Sequence, residues 1–204
     1  MDLNEDRPQD DNGSDGLNDE GTRRFKEEMF DWTQNIAIIL TIVVLLFVFV
    51  FRIIGVDGTS MEPTLHDKDW MITTNLFYKP DYGDIVVLKK KSFMEKPIVK
   101  RIIATEGQVI DIDIEKGIVY VDGVALDEPY IAEKTAQKYG FKFPAKVPKD
   151  CVFVMGDNRN RSRDSRDTSL GMVNKKYILG RLLFRIYPFD KIGTIKQDYK
   201  IPGK

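Results

Sequence analysis

From Ile36 to Phe51 the chain reads IAIILTIVVLLFVFVF, apolar at every position but Thr41, and after a single Arg52 it resumes with IIGV. Counted from Asn35 to Val56, this run would rise about 30 Å as a helix, the thickness of a bilayer's hydrocarbon core. A core helix of a soluble domain rarely shows apolar residues on every face, so the pattern predicts a transmembrane helix over residues 34–56. Arg52 lies near the end, where it can snorkel toward headgroups. Nothing around VFRIIGVDG resembles a small-x-small cleavage site, and more than thirty polar residues precede the run, so it is expected to stay as an anchor.

Beyond the apolar run the periodicity changes from all-apolar to two-residue alternation. DIVVL at 84–88, IVKRIIA at 98–104, QVIDIDI at 108–114, IVYVDGVAL at 118–126, CVFVM at 151–155 and ILGRLLFRIYP at 178–188 are short and rich in Val, Ile and aromatics. Ile110, Ile112 and Ile114 alternate with Asp111 and Asp113, the signature of a half-buried strand. Asp122-Gly123 marks a hairpin. Residues 127–150, bounded by prolines, read as an excursion between strands with no catalytic part. The expected exported part, 57–204, is mainly β: a predominantly antiparallel, partly coiled sheet.

The formal net charge of −1 conceals a division. Residues 1–33 carry eleven acidic against four basic side chains, which leaves the remainder basic. This acidic, apolar-poor segment reads as a disordered tail. Arg23, Arg24 and Lys26 shortly before the span outnumber Arg52 and Lys68 after it, which places the N-terminus in the cytoplasm and the β domain outside. The expected location is a plasma membrane crossed once.

Candidate chemistry is narrowed by scarcity. Cys151 is the sole cysteine and His66 the sole histidine, which excludes an intramolecular disulfide and disfavours a Cys/His zinc site. Cys151 opens a strand and reads as a small buried thiol, and His66, in LHDKDW, as a turn residue. A serine nucleophile would then need another base, and a lysine serves if burial lowers its pKa toward neutrality. Most lysines here keep polar company, whereas Lys100 lies in PIVKRIIA, sharing a strand face with Ile98 and Ile102 while Arg101 points the other way. A lysine in a β run also suits an edge strand, where it blocks aggregation. Ser60, in GTSMEPTL, is the matching nucleophile, with Gly58 permitting close backbone approach and Pro63 setting a turn.

Four ordered blocks, SMEPTL, GDIVVL, VKRIIATEGQ and MGDNRNRSRDSR, standing behind an N-terminal anchor, resemble the type I signal peptidases, membrane-bound serine endopeptidases that release exported proteins from their signal peptides. The resemblance covers about residues 36–190. It implies a coiled antiparallel catalytic domain of the signal-peptidase type, Ser60 as nucleophile, Lys100 as general base followed by Arg101, and Ser162 as the residue that orients the lysine. Asp164 and Arg166 match a structural charge pair, and Asp157 belongs to the same block. Gly58 stands where some members carry an oxyanion-hole serine, so the hole is expected to use backbone amides at Gly58 and Ser60.

The implied reaction is hydrolysis after a small-x-small motif through an acyl-enzyme, with preproteins as substrates and no metal or organic cofactor. Met61, Leu65, Ile98 and Val99 are expected to wall shallow apolar pockets. The arginines of the 157–167 block interleave with Asp157, Asp164 and Asp167, which favours ion pairing over a nucleic-acid surface. Eight residues from Arg52 to Ser60 reach at most about 29 Å. The nucleophile is therefore expected near the lipid bilayer. A soluble self-cleaving Ser/Lys regulator and an inactive peptide-binding β module are the alternatives.

Overall fold

The computed structural model describes residues 15–195. Two compact units emerge, one ending at Val48 and one from Phe49 onward. The first is a single helix, α1 (Asp15–Phe49). Over Arg23–Val48 it is long and apolar enough to cross a membrane, alone in this among the described residues, and its side chains there are exposed.

Two boundaries differ from the sequence expectation. The helix stops at Phe49, and Phe51–Gly55 forms strand β1 instead of completing a span to residue 56. The cause is a ladder partner: Phe51 to Gly55 pair antiparallel with β2 (Trp70–Thr74), and Ile54 packs on a buried cluster. Residues 15–33, expected as disordered tail, are helical. Arg23/Glu27 and Arg24/Glu28 place opposite charges four residues apart, a spacing that suits a helix. The rest of the expected tail, residues 1–14, lies outside the described residues.

The second unit is built from β3 (Ile85–Leu88), β4 (Ile98–Thr105), β5 (Val109–Asp113), β6 (Ile118–Val121), β7 (Val124–Ala125), β8 (Ala145–Lys146), β9 (Cys151–Met155), β10 (Val173–Asn174), β11 (Ile178–Tyr187) and β12 (Gly193–Thr194), together with β1 and β2. One sheet has the order β1-β2-β11-β3-β4-β9-β10, with β12 on β11, and the other the order β7-β6-β5-β8. All pairings are antiparallel.

Strand β11 shapes the larger sheet. Its first half pairs with β3 and its second with β2, through three register shifts. Such irregularities bend and twist a strand, which curls the sheet so that β1 and β4 rise on either side of β2, β11 and β3. Gly180 sits at the crossing, where a Cβ would come within 2.9 Å of the Thr74 carbonyl oxygen.

The expected alternation holds in β5, where Ile110 and Ile112 are buried and Asp111 and Asp113 are half-buried. Their cluster adds Val119, Val121, Val147, Phe153 and Met155, with Phe141 and Phe143 from the 127–150 excursion packed against Phe153 at ring separations of 5.6 and 5.8 Å. Cys151 is half-buried at the edge of this cluster. Phe153→Ala removes the centre of that aromatic trio and should cost about 3–5 kcal/mol, read as a lowered denaturation midpoint of the full chain in detergent. A loss below 1 kcal/mol would mean that the cluster collapses around the vacancy.

Candidate active site

Ser60 lies in the turn that leads from β1 toward β2, and its neighbours hold it. Met61 is buried among Val56, Met71, Ile85 and Val87, while the Leu65 N–H donates to the Met61 carbonyl at 2.9 Å. One helical turn separates these two side chains, so Leu65 packs behind Met61 in the core and does not line the cleft, contrary to its expected role as a pocket wall. The Asn158 N–H donates to the Ser60 carbonyl at 3.1 Å, and the Asn158 side-chain amide to the Thr59 carbonyl at 3.1 Å. Asn158 was not singled out from the sequence, because a main-chain clamp from a residue about a hundred positions away leaves no local pattern.

Lys100 comes from β4, opposite Val86 of β3. Its Nζ donates to Ser60 Oγ at 2.7 Å and to the Val99 carbonyl at 2.9 Å. At 3% exposure the amine is almost dry. Burial lowers its pKa from the ordinary 10.5 to about 8, with Arg166 adding to the effect while the Asp164 and Asp157 carboxylates oppose it. That difference corresponds to about 3 kcal/mol at 1.36 kcal/mol per pH unit. A buried amine of this kind can be neutral near physiological pH and accept a proton from the hydroxyl it touches.

Around this pair stand three buried Arg–carboxylate pairs. Arg101, on the opposite face of β4 from Lys100, binds Asp157 through Nε at 2.8 Å and Nη2 at 2.6 Å, and lies 4.0 Å from the Tyr130 ring centroid. Arg166 binds Asp164 through Nε and Nη2, both at 2.8 Å. Asp164 also accepts the Gly156 N–H at 3.0 Å, so this pair fixes the strand end next to Ser60. Arg159 binds Glu128 in the same two-pronged way. Glu128 and Tyr130 belong to the 127–150 excursion, which therefore buttresses the site although it supplies no reacting group. Arg163 pairs with Asp167 at 3.0 Å, which completes the expected interleaving.

Two further residues depart from expectation. Ser162 Oγ is buried and makes no hydrogen bond among the described residues, so the orienting bond to Lys100 is not formed in this structure. Ser162 is nevertheless adjacent: a side chain at Gly156 would collide with both Ser162 Oγ and the Ser60 carbonyl. The Gly58 N–H, expected in an oxyanion hole, donates to Asp67 Oδ1 at 2.9 Å. Gly58 does adopt φ +94°, the left-handed region that glycine tolerates. The Ser60 N–H makes no hydrogen bond among the described residues.

A cleft of about 590 Å³ opens beside Ser60 and Lys100. Val87, Leu179 and Thr73, from β3, β11 and β2, form its floor, and Ile54 to Met61 face Met94 to Lys100 as its walls. Met61, Ile98 and Val99 line this cleft. No cluster of metal-ligating side chains occurs among the described residues.

The chain matches the family model for signal peptidase, peptidase S26, over residues 29–187. It is similar to a signal peptidase I of Bacillus amyloliquefaciens, 38% identical over 84% of this chain and 95% of the relative. It is likewise similar to signal peptidase I S of Bacillus subtilis, 37% identical over 82% and 94%, and to a probable signal peptidase I-2 of Synechocystis, 40% identical over 79% and 74%. A solved signal peptidase I structure from Enterococcus faecalis, 28% identical, aligns with a TM-score of 0.44 over 52% of this chain and 97% of its own. With a buried lysine bonded to a serine beside an apolar cleft, and similarity of this extent, the chain belongs to the signal peptidase family, peptidase S26, a class of serine endopeptidases.

Proposed function

We propose that this chain cleaves signal peptides from preproteins at a membrane surface, with Ser60 as nucleophile and Lys100 as general base. The observation that carries the reading is the 2.7 Å contact between Lys100 Nζ and Ser60 Oγ at a dry amine. Neutral Lys100 takes the hydroxyl proton as Ser60 Oγ attacks the scissile carbonyl. The resulting ammonium then protonates the leaving amine, and water repeats the cycle on the acyl-enzyme ester.

The developing oxyanion is received by the Ser60 N–H, which is otherwise unengaged. For the Gly58 N–H to join it, that amide must leave Asp67. An ammonium carries three N–H donors, two of which already have Ser60 Oγ and the Val99 carbonyl as acceptors. We assign the buried, unpartnered Ser162 hydroxyl as acceptor for the third once Lys100 is charged. A buried hydroxyl without a partner is costly, which favours that movement.

An extended substrate fits the cleft. Among the described residues, β1 is the terminal strand of its sheet and pairs only with β2. In β4 the ladder to β9 begins at Arg101, so among the described residues Ile98, Val99 and Lys100 pair only with β3. Two strand edges therefore border the cleft, and a peptide can be added between them by main-chain hydrogen bonds. The apolar walls suit small side chains, since larger ones would overpack. We place α1 across the membrane with its N-terminus in the cytoplasm, following the excess of Arg23, Arg24 and Lys26 before the span. The substrate then arrives by diffusion in two dimensions, at high effective concentration.

Three outcomes are expected with purified protein in liposomes and a preprotein substrate. Ser60→Ala abolishes cleavage, and Lys100→Met lowers kcat/KM by about 100- to 10,000-fold; wild-type turnover by either variant removes the proposed dyad. Because the base form exists above the depressed lysine pKa, kcat/KM should rise with pH and level off above about 8. Below that value it should fall about tenfold per pH unit, and a flat profile down to pH 5 would exclude a lysine base. Gly156→Ala pushes on the Ser60 carbonyl and should cost about 100-fold in kcat/KM, with a stability loss of only about 1–3 kcal/mol.

A further inference from the structure

The cleft has an ion pair across its mouth. Asp57 follows β1 on one wall, Lys96 precedes β4 on the other, and Lys96 Nζ lies 3.1 Å from Asp57 Oδ2. Both side chains are more than three-quarters exposed, and both line the cleft. Asp57 stands three residues before Ser60, and Lys96 four before Lys100, so the bridge crosses close to the reacting pair.

The two walls it joins are the two strand edges described above. Seating one extended chain between two edges requires about 4.8 Å on each side of the inserted backbone. Only a long side chain can span such a gap, and Lys96 supplies its four-carbon stem to the shorter Asp57. A peptide entering between the edges meets this bridge in its path. The loop that carries Lys96 has other ties: the Arg163 guanidinium lies 4.9 Å from the Phe93 ring centroid, and Lys90 Nζ donates to the Leu170 carbonyl at 2.7 Å. Opening the Asp57–Lys96 pair therefore frees the cleft mouth without releasing the loop.

We propose that the Asp57–Lys96 ion pair is a strap over the substrate cleft, which a peptide displaces in order to seat, so that these two residues help determine which peptides bind. This rests on the peptidase reading of the same cleft. An exposed pair is worth about 0.2–1 kcal/mol. At 1.4 kcal/mol per tenfold, its opening weakens peptide binding by a factor of up to about five. The strap thus acts as a modest filter: a peptide that makes good edge hydrogen bonds overcomes it, and a poorly fitting one is turned away.

The test uses the full chain in detergent on a Ser60→Ala background, with an uncharged signal-peptide analogue and its Kd read by fluorescence anisotropy. Lys96→Ala and Asp57→Ala should each tighten Kd, by up to about fivefold. The exchange Asp57→Lys with Lys96→Asp should restore the original value. Added salt should tighten binding to the parent, by screening the pair, and leave Lys96→Ala unchanged. As a control, Lys116→Ala breaks a surface pair with the half-buried Asp113 that does not line the cleft, and should not move Kd. An unchanged Kd in both single variants overturns the strap. A weakened Kd overturns it too, since the two side chains would then be holding the peptide. Failure of the peptidase reading shows separately, as continued preprotein cleavage by Ser60→Ala.

Discussion

An amine kept dry beside a hydroxyl is the constraint from which the arrangement of this domain follows. Losing water lowers the Lys100 pKa and makes its neutral form accessible, and that condition is met only if β3, β4 and the Ser60 turn close over it. The same closure must leave Ser60 half-exposed to a substrate. A curled sheet reconciles these demands, because one strand can bury a side chain at its middle and leave its end as the wall of an open trough. The register shifts of β11 produce the curl, and so reach the chemistry without contributing a reacting atom.

The three buried Arg–carboxylate pairs solve a positional problem more than a stability one. Burying a charge pair roughly balances desolvation against attraction, while removing one partner costs about 3–5 kcal/mol. Their value lies in two-pronged geometry, which holds the Gly156–Arg166 segment against Ser60 from several directions. Asp164 holds Gly156, Asp157 anchors to β4 through Arg101, and Glu128 ties the 127–150 excursion to Arg159. They also bear on the electrostatics: burial is the largest influence and lowers the Lys100 pKa, Asp164 and Asp157 pull it upward, and Arg166, paired with Asp164, works with burial.

The apolar helix and the cleft are close along the chain. β1 begins two residues after α1 ends, and the cleft wall runs straight from β1 to Ser60. That junction is also where sequence pattern misled. The apolar run continues past Phe49 into Ile53 and Ile54, and hydropathy alone cannot distinguish residues facing lipid from those pairing in a sheet. The partner strand, WMITT at 70–74, is short and follows a charged turn, so its pairing with β1 left no local signal.

What the sequence by itself determined is local and chemical. A long apolar run predicts a helix fit for a membrane, two-residue alternation predicts strands such as β5, and a lysine in an apolar strand, in a chain with a serine-bearing turn and a single histidine, is a candidate base. Ordered motifs added Arg101, Asp157, Asp164 and Arg166. Only the tertiary structure decided what depends on contact between distant positions. It brought Lys100 to Ser60 across forty residues, put Leu65 behind Met61, brought Glu128 and Asn158 in as supports, left Ser162 Oγ without a partner among the described residues and gave the Gly58 amide to Asp67. The reason is physical: periodicity records which face a residue turns toward the core, whereas hydrogen-bond partners and desolvation depend on which other segment arrives there.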